Sequence, residues 1–276
     1  MDEPLCYAYA VVGSSATPER TALAAVRGVA DAPVTLVRTG GVAAAVSAVP
    51  RDEFSEAALK TGLEDMRWLE ATARAHHLVI ETLARYSTVL PLRLATVYLD
   101  ENRVRDMLRE QEASLTTLLN RLADHDEWGV KVYAEVPPTS EPVPAQAGGP
   151  ADAANESVNP GRAYLRSRRH QRQEREDAWR LAEEAVRRTE EQARGLAVER
   201  TRHRPQEGTL AQVPGVNVAN DAYLVPRRLT ETFRTRMLHA ADGLHGVRVD
   251  VTGPWAPYSF TTPPGPGVQV GEAGRR

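Results

Sequence analysis

Cysteine is nearly missing from this chain. Cys6 stands alone, so neither an intrachain disulfide nor a cysteine-cluster metal site can form. Aromatic residues are scarce at 5%. Lysine is scarcer still: apart from Lys60 and Lys131, every one of the 34 basic residues is arginine. No apolar run approaches the roughly 20 residues that a membrane helix needs. The first 30 residues hold no basic stretch ahead of an apolar one, so no secretory leader is expected and the cytosol is the expected compartment. A formal net charge of −3 argues against a protein that coats nucleic acid through its overall charge. Neither G-x-x-x-x-G-K-[ST] nor a strand-linked G-x-G-x-x-G occurs, which removes the usual nucleotide-binding fingerprints. What is present is ordinary for a globular chain: 42% of 276 residues are hydrophobic, enough for two modest domains.

Composition breaks the chain into four parts. Residues 1–136 carry 14 basic against 20 acidic residues, whereas 161–204 carry 13 arginines against 8 acids. Between them, residues 137–160 are rich in Pro, Ala, Gly and Ser with almost no large apolar side chain, the composition of a flexible linker. Residues 261–276 have the same character and read as a disordered tail. The folded parts are therefore expected at 1–136 and 161–260.

In the first part, residues 5–12 form an apolar run suited to a strand covered on both faces. Thr17-Pro18 offers a helix start, and residues 34–38 and 42–49 flank Thr39-Gly40-Gly41 as a hairpin. Thr61 to Glu64 fits a capping box, followed by a stripe of Leu63, Met66, Leu69, Ala73, Ile80 and Leu83. Residues 89–98 read as one strand. Asp100 caps a helix with Val104, Met107, Leu108, Leu115, Leu118, Leu119 and Leu122 on one face. From Trp128 to Val136 apolar residues alternate, as in a half-buried strand. This order predicts an α+β fold with a modified ferredoxin-like (split βαβ) sheet and its helices on one face.

The second part opens with a long helix over 162–202, whose residues 166–177 are all polar and must project into solvent or meet a partner. Pairs Arg172/Glu176, Arg180/Glu184 and Glu184/Arg188 have i,i+4 spacing. Trp179, Ala182, Val186 and Ala193 restore a packing seam. A strand near 216–225, a helix over 226–241 and a strand at 246–252 follow, making an α+β domain with a long projecting helix or helical hairpin.

No group of residues points to catalysis, a cofactor or a metal. His76 and His77 are adjacent on a helix and diverge by about 100°, so they cannot chelate one ion; one is expected to face the core and one the solvent. Cys6, inside an apolar strand, behaves as a small hydrophobe. Asp52-Glu53 and Asp126-Glu127 read as solvated element ends, and His239 and His245 as polar caps without a companion carboxylate. Gly40-Gly41 is a turn, and Gly265-Pro266-Gly267 lies in the polar tail. The basic stretch from Arg162 to Arg175 lacks interleaved aromatics and is soon interrupted by acids, so a solvated or protein-contacting face is favoured over a nucleic-acid site. Finally, Gly253-Pro254-Trp255-Ala256-Pro257-Tyr258-Ser259-Phe260 concentrates three aromatics between prolines, a stiff segment that either plugs a core or docks onto a partner.

At that last segment the sequence resembles the gas vesicle protein F/L family (GvpF/GvpL), with Ala256 where the family usually has Pro. Further matches follow in order: Tyr7-Ala8-Tyr9, Trp68-Leu69 ahead of His76-His77, Leu90-Pro91-Leu92-Arg93-Leu94-Ala95-Thr96, Glu127-Trp128-Gly129-Val130-Lys131-Val132 and Gly161-Arg162-Ala163-Tyr164-Leu165. The family more often has Phe-Gly at Leu94-Ala95. The resemblance implies a bacterial, non-enzymatic protein of the cytoplasm and the gas vesicle, with a two-domain α+β fold and a ferredoxin-like N-terminal domain. It implies an assembly or minor structural role beside the small hydrophobic shell protein GvpA and other accessory proteins, with no cofactor, membrane or nucleic-acid partner. Exposed apolar surface on unassembled shell subunits would need cover. Trp128, Trp255, Tyr258 and Phe260 are then the expected apolar contacts, with Arg93 and Arg162 as orienting polar ones. The alternatives are a scaffold for other accessory proteins and, behind it, nucleic-acid binding through the 162–175 stretch.

Overall fold

A computed structural model describes residues 3–15, 23–135, 160–205 and 215–262, without the side chains of 160–167 and 171. The helix start at Thr17-Pro18, residues 137–159 of the expected linker and residues 263–276 of the expected tail lie outside the described residues. Spatial proximity divides the chain into two compact units. One comprises Met1–Trp128, Leu224–Arg227 and Gly253–Arg276; the other comprises Gly129–Tyr223 and Arg228–Thr252. This division differs from the expected domains at 1–136 and 161–260, because the strand beginning near residue 125 joins the second sheet and the segment from Gly253 to Phe260 rejoins the first unit.

In the first unit, β1 (Leu5–Gly13) is central. It pairs antiparallel with β3 (Val42–Val49) on one side, and on the other with β4 (Val89–Pro91) and β5 (Val97–Tyr98). β2 (Thr35–Thr39) lies outside β3, also antiparallel, giving the order β2-β3-β1-β4. Since β1 and β2 both run against β3, they are parallel to each other with β3 between them, which is the split βαβ arrangement. The expected strand 89–98 is broken into two because the backbone turns at Leu92–Thr96, with Ala95 in the left-handed region at φ +62°. At the β2–β3 turn Gly40 has φ +51°, and a Cβ there would fall 2.2 Å from the Glu112 carboxylate, which accepts a 2.6 Å hydrogen bond from the Gly41 N–H.

β1 changes parity along its length. The register steps between Ala8 and Ala10, leaving Tyr9 as the extra residue of a bulge. Leu5, Tyr7 and Tyr9, then Ala10 and Val12, consequently share one face and one core cluster. Four helices follow β3: α1 (Arg51–Phe54), α2 (Glu56–Glu64), α3 (Met66–Ala84) and α4 (Glu101–Leu122). α3 packs Val79, Ile80 and Leu83 on the Tyr7/Tyr9 face. α4 lies against β1, β2, β3 and β4, with Val104, Leu108 and Leu122 buried but outside that cluster. Helices therefore cover both faces rather than the expected one, which explains why every residue from Leu5 to Val12 is buried. Each fully buried Phe, Ile or Leu contributes about 1.5–3 kcal/mol by area removed from water.

Helix starts are set by short polar side chains. Asp100 accepts from the Arg103 N–H at 2.9 Å, as its position predicts. The expected capping box at Thr61 is instead the end of α2, which Ser55 caps; Asp65 starts α3 by accepting from the Arg67 and Trp68 N–H groups. Leu63 and Met66, expected in the core stripe, are exposed for that reason, and the buried row of α3 is Thr72, His76, Val79, Ile80 and Leu83.

The second unit is built on a sheet of order β7-β8-β6-β9, from β6 (His125–Ala134), β7 (Glu199–His203), β8 (Val216–Pro226) and β9 (Val247–Trp255). α5 (Pro160–Ala193) and α6 (Thr230–Leu238) complete it. α5 ends nine residues before the expected 202, because Gly195 takes φ +75° and residues 199–203 turn into the edge strand β7. Its core row is small: Ala178, Ala182 and Ala185 pack on Val132, Ala134 and Ala219. Trp179, expected in that seam, is 38% exposed. Arg172 pairs with Glu176 and Arg188 with Glu184 as expected, but Arg180 pairs with Asp177 rather than Glu184. The buried Asp221 carboxylate is neutralised by Arg202 at 3.0 Å and Arg200 at 3.6 Å, and both arginines also reach Glu190.

Candidate functional site

The segment from Gly253 to Phe260 returns to the first unit and is clasped there at several points. Gly253, at φ +139°, passes so close to β6 that a Cβ would lie 2.9 Å from the Glu127 carbonyl oxygen and 3.0 Å from the Trp128 ring. Glu127, expected as a solvated end, is 9% exposed. Its two carboxylate oxygens accept from the Ser259 N–H and Oγ–H, each at 2.7 Å. Beside it Asp126 pairs with Arg227 at 3.1 Å. Arg121 of α4 donates to the Phe260 carbonyl at 3.2 Å and to that of Thr262 at 3.4 Å.

The aromatics of this strap meet α3. The His77 ring stacks at 26° to Tyr258, with a 3.4 Å contact from Nδ1 to the phenol, and stands edge-on to Trp255 with centroids 5.6 Å apart. Tyr258 and Ala256 pack against the α3 core cluster. Burial and the nearby Glu127 charge push the Tyr258 phenol far up, so it stays neutral. Trp128 and Phe260 are buried at 3% and 2%, whereas Trp255 remains 42% exposed. Of the expected contact residues, the strap thus brings Trp128, Trp255, Tyr258 and Phe260 together in one unit, with Trp128 and Phe260 buried, Tyr258 half-buried and Trp255 exposed. Arg93 is exposed at the β4–β5 turn, where its carbonyl accepts from Thr96 N–H and Oγ1–H. Arg162 lies in the first turns of α5, and its side chain is outside the described residues.

The histidine pair behaves as its spacing requires: His76 is 3% exposed and His77 faces the strap. The Ala95 N–H donates to the Tyr7 hydroxyl at 3.0 Å, and that hydroxyl shares a hydrogen bond with His76 Nδ1, also 3.0 Å away. His76 Nε2 is buried without a hydrogen-bond partner of normal geometry. Burial pulls the imidazole down to about 4; the Leu92 backbone opposes this and the His77 ring adds to it. Tyr9 sits in a second relay: the Val29 N–H donates to its hydroxyl at 2.9 Å, which donates to Ser47 Oγ, which donates to the Pro33 carbonyl. Both tyrosines of the first strand are therefore structural. Cys6 is pushed up to about 11 by burial, with Glu101 and Asp100 adding to the rise, so it carries no thiolate. His239 does have a companion carboxylate, Asp242 at 2.9 Å, on the surface at the end of α6.

Among the described residues no group of three or more His, Cys, Asp or Glu side chains could hold a metal ion, and no helix is long and apolar enough to cross a membrane. The first unit has a groove of about 540 Å³ beside α3, which sequence reasoning missed because its floor and wall residues, Phe54, Trp68, Ala71, Ala75 and Leu78, look like core.

A protein-family model described as gas vesicle synthesis protein GvpL/GvpF matches residues 5–262. The chain belongs to the GvpL/GvpF family. It is 43% identical over 235 residues to gas vesicle protein L of Streptomyces sp. (strain CB03234), covering 84% of this chain and 85% of that protein. Its fold is shared with the crystal structure of GvpF from Anabaena sp. PCC7120, at a TM-score of 0.63, 19% identity and 99% of each chain. GvpF from Microcystis aeruginosa gives a TM-score of 0.62 at 18% identity, covering 94% of this chain and 99% of that one. The α+β fold and the gas vesicle family that the sequence motifs suggested are thereby shown. The strap residues and the Tyr7/Tyr9 pair, which carried much of that likeness, are the clasps and relays just described.

Proposed function

We propose that this protein is a non-enzymatic assembly or minor structural protein of gas vesicles, acting in the cytoplasm and at the vesicle, where it binds the shell protein GvpA and helps it enter the growing wall. The observation that carries this reading is the family match across residues 5–262. It is supported by the form of the strap, which offers a large exposed aromatic, Trp255, on a backbone held rigid by Glu127, Arg121 and Gly253. Such a side chain is pre-ordered and loses little conformational freedom on docking. Arg93 and Arg162 are proposed as orienting polar contacts. Trp128, Tyr258 and Phe260 would support the contact from beneath.

Co-expression of the tagged protein with GvpA, followed by pull-down and size-exclusion chromatography, tests this directly. A discrete complex that survives high salt is expected, and Trp255→Ala should weaken it at least fivefold while leaving the thermal melt within about 2 °C. Wild-type protein that stays folded and fails to retain GvpA would replace this reading with a scaffold for other accessory proteins. An unchanged complex with Trp255→Ala would move the contact away from the strap.

A further inference from the structure

The sheet of the second unit has two edges, and they are built differently. At one end β7 carries a charged or titratable side chain at four of its five positions, Glu199, Arg200, Arg202 and His203, a common means of keeping other strands away. At the other end β9 alternates valine with polar residues, Val247-Arg248-Val249-Asp250-Val251-Thr252, a pattern of high strand propensity. The pairing with β6 decides which of its backbone groups are already used. The Glu135 N–H donates to the Gly246 carbonyl at 2.8 Å, and a Cβ on Gly129 would lie 2.7 Å from Thr252 Oγ1. The two strands therefore run antiparallel, with Glu135 opposite Gly246 and Gly129 opposite Thr252. Backbone groups alternate in direction along a strand. Gly246, Arg248, Asp250 and Thr252 thus turn their N–H and C=O toward β6, while Val247, Val249 and Val251 turn theirs outward, where no described residue bonds to them.

A free row of donors and acceptors receives an extended strand, and the side chains say which one. Val247 and Val249 pack on the α5 core cluster. On the opposite face stand Arg248 and Asp250, the only charges of β9. Arg248 lies 4.2 Å above the Tyr133 ring and pairs with Glu135 at 3.3 Å and with Asp250. A second copy of β9 laid antiparallel, with Val249 on the two-fold axis, sets Val249 against Val249 and Val247 against Val251, so the outward backbone groups of all three find partners. The residues between them form the non-hydrogen-bonded pairs, where side chains come closest, and each such pair is Arg248 of one copy with Asp250 of the other. A slip of one residue sets outward backbone groups against inward ones. A slip of two sets Arg248 against Arg248 or Asp250 against Asp250, and a parallel copy in register also aligns like charges. The edge therefore complements itself in one register.

We infer that β9 is an interface at which a second copy of this chain docks, joining two second-unit sheets through Val247, Val249 and Val251 and fixing the register with Arg248 against Asp250. Standard interfaces bury roughly 1,200–2,000 Å² and a ladder this short buries less, so the dimer dissociates on dilution. Sedimentation velocity on the full chain over a hundredfold range of concentration should show monomer passing to dimer. Arg248→Asp and Asp250→Arg should each raise the dissociation constant at least tenfold, because every cross-strand pair then holds like charges. Mixing the two variants in equal amounts should restore association to within about threefold of wild type, since one copy then brings two acids and the other two arginines. Misfolding of either variant cannot produce that recovery. Val249→Pro removes an outward N–H without touching the ladder to β6 and should abolish the dimer; a thermal melt reports its folding, and the mixing experiment decides if it melts early. Wild-type protein that stays monomeric at the highest concentration, or single charge variants that dimerise as well as wild type, would overturn the interface. A mixture that fails to recover would overturn the register.

Discussion

Lowering the pH should destabilise the first unit through His76. The imidazole is neutral in the folded protein, with its pKa drawn from the ordinary 6.5 to about 4. A group whose folded pKa lies below its unfolded value contributes stability that is present above the unfolded pKa and is lost as pH falls toward the folded one. The window is therefore pH 6.5 down to about 4. At 1.36 kcal/mol per unit, the loss amounts to about 0.8 kcal/mol at pH 6, about 2 at pH 5 and about 3.4 once both states are protonated. Carboxylates titrate at the lower end of this range too, so the measurement is the difference between wild type and His76→Gln, in which the amide oxygen can still accept from Tyr7. Urea unfolding followed by fluorescence at pH 8, 7, 6 and 5 should show the two proteins converging by about 2 kcal/mol as pH falls. A difference that stays flat within about 0.3 kcal/mol, or an NMR titration placing His76 near 6.5, would refute the buried neutral assignment.

Two further substitutions probe the polar contacts that hold the first unit. Tyr9→Phe removes the link between the Val29 N–H and Ser47 and leaves a buried donor unpaired, so about 2–3 kcal/mol should be lost, seen as a fall of several degrees in the first unit's melt; a change under about 0.5 kcal/mol would mean the relay is not made. Ser259→Ala takes one donor from the buried Glu127 carboxylate but keeps the backbone one, costing about 1.5–3 kcal/mol by urea unfolding; no measurable loss would show that the strap is held without this clasp.

Much of the fold could be read directly because local and tertiary signals agreed. The continuous apolar β1 needed covering on both faces, Asp100 sat one residue before an unbroken helical stripe, and a double glycine separated two short β-rich runs. The readings failed where two signals competed. Thr61 to Glu64 satisfies a capping pattern, but Ser55 had already started that helix, and Asp65 was free to start the next. Residues 199–203 lack any alternation of apolar side chains because β7 is an edge strand, paired on one side only. Trp179 fitted a helical seam by period, yet the contact is made by alanines small enough to let α5 approach the sheet. For the candidate site, composition marked the 253–260 segment but could not say which aromatics stay outside. Burial of Trp128 and Phe260 depends on a close approach of backbone that only Gly253 permits, a long-range fact invisible in spacing. The groove beside α3 escaped notice for the opposite reason: alanines at helical spacing look like filler unless the neighbouring turn is known.

The return of the strap to the first unit has a consequence for synthesis. The first unit takes residues from both ends of the chain, while nearly the whole second unit, Gly129–Tyr223 and Arg228–Thr252, is spelled out between them. On the ribosome, the β1-centred sheet must wait with its His77 flank uncovered until residue 260 emerges, by which time every residue of the second unit has been made. A nascent chain stopped short of Gly253 would lack the Ser259 donors to Glu127 and the aromatic cover of α3, and would present that flank to whatever else is nearby. Completion of the first unit thus requires that the chain has been translated through Phe260, and with it every residue of the second unit.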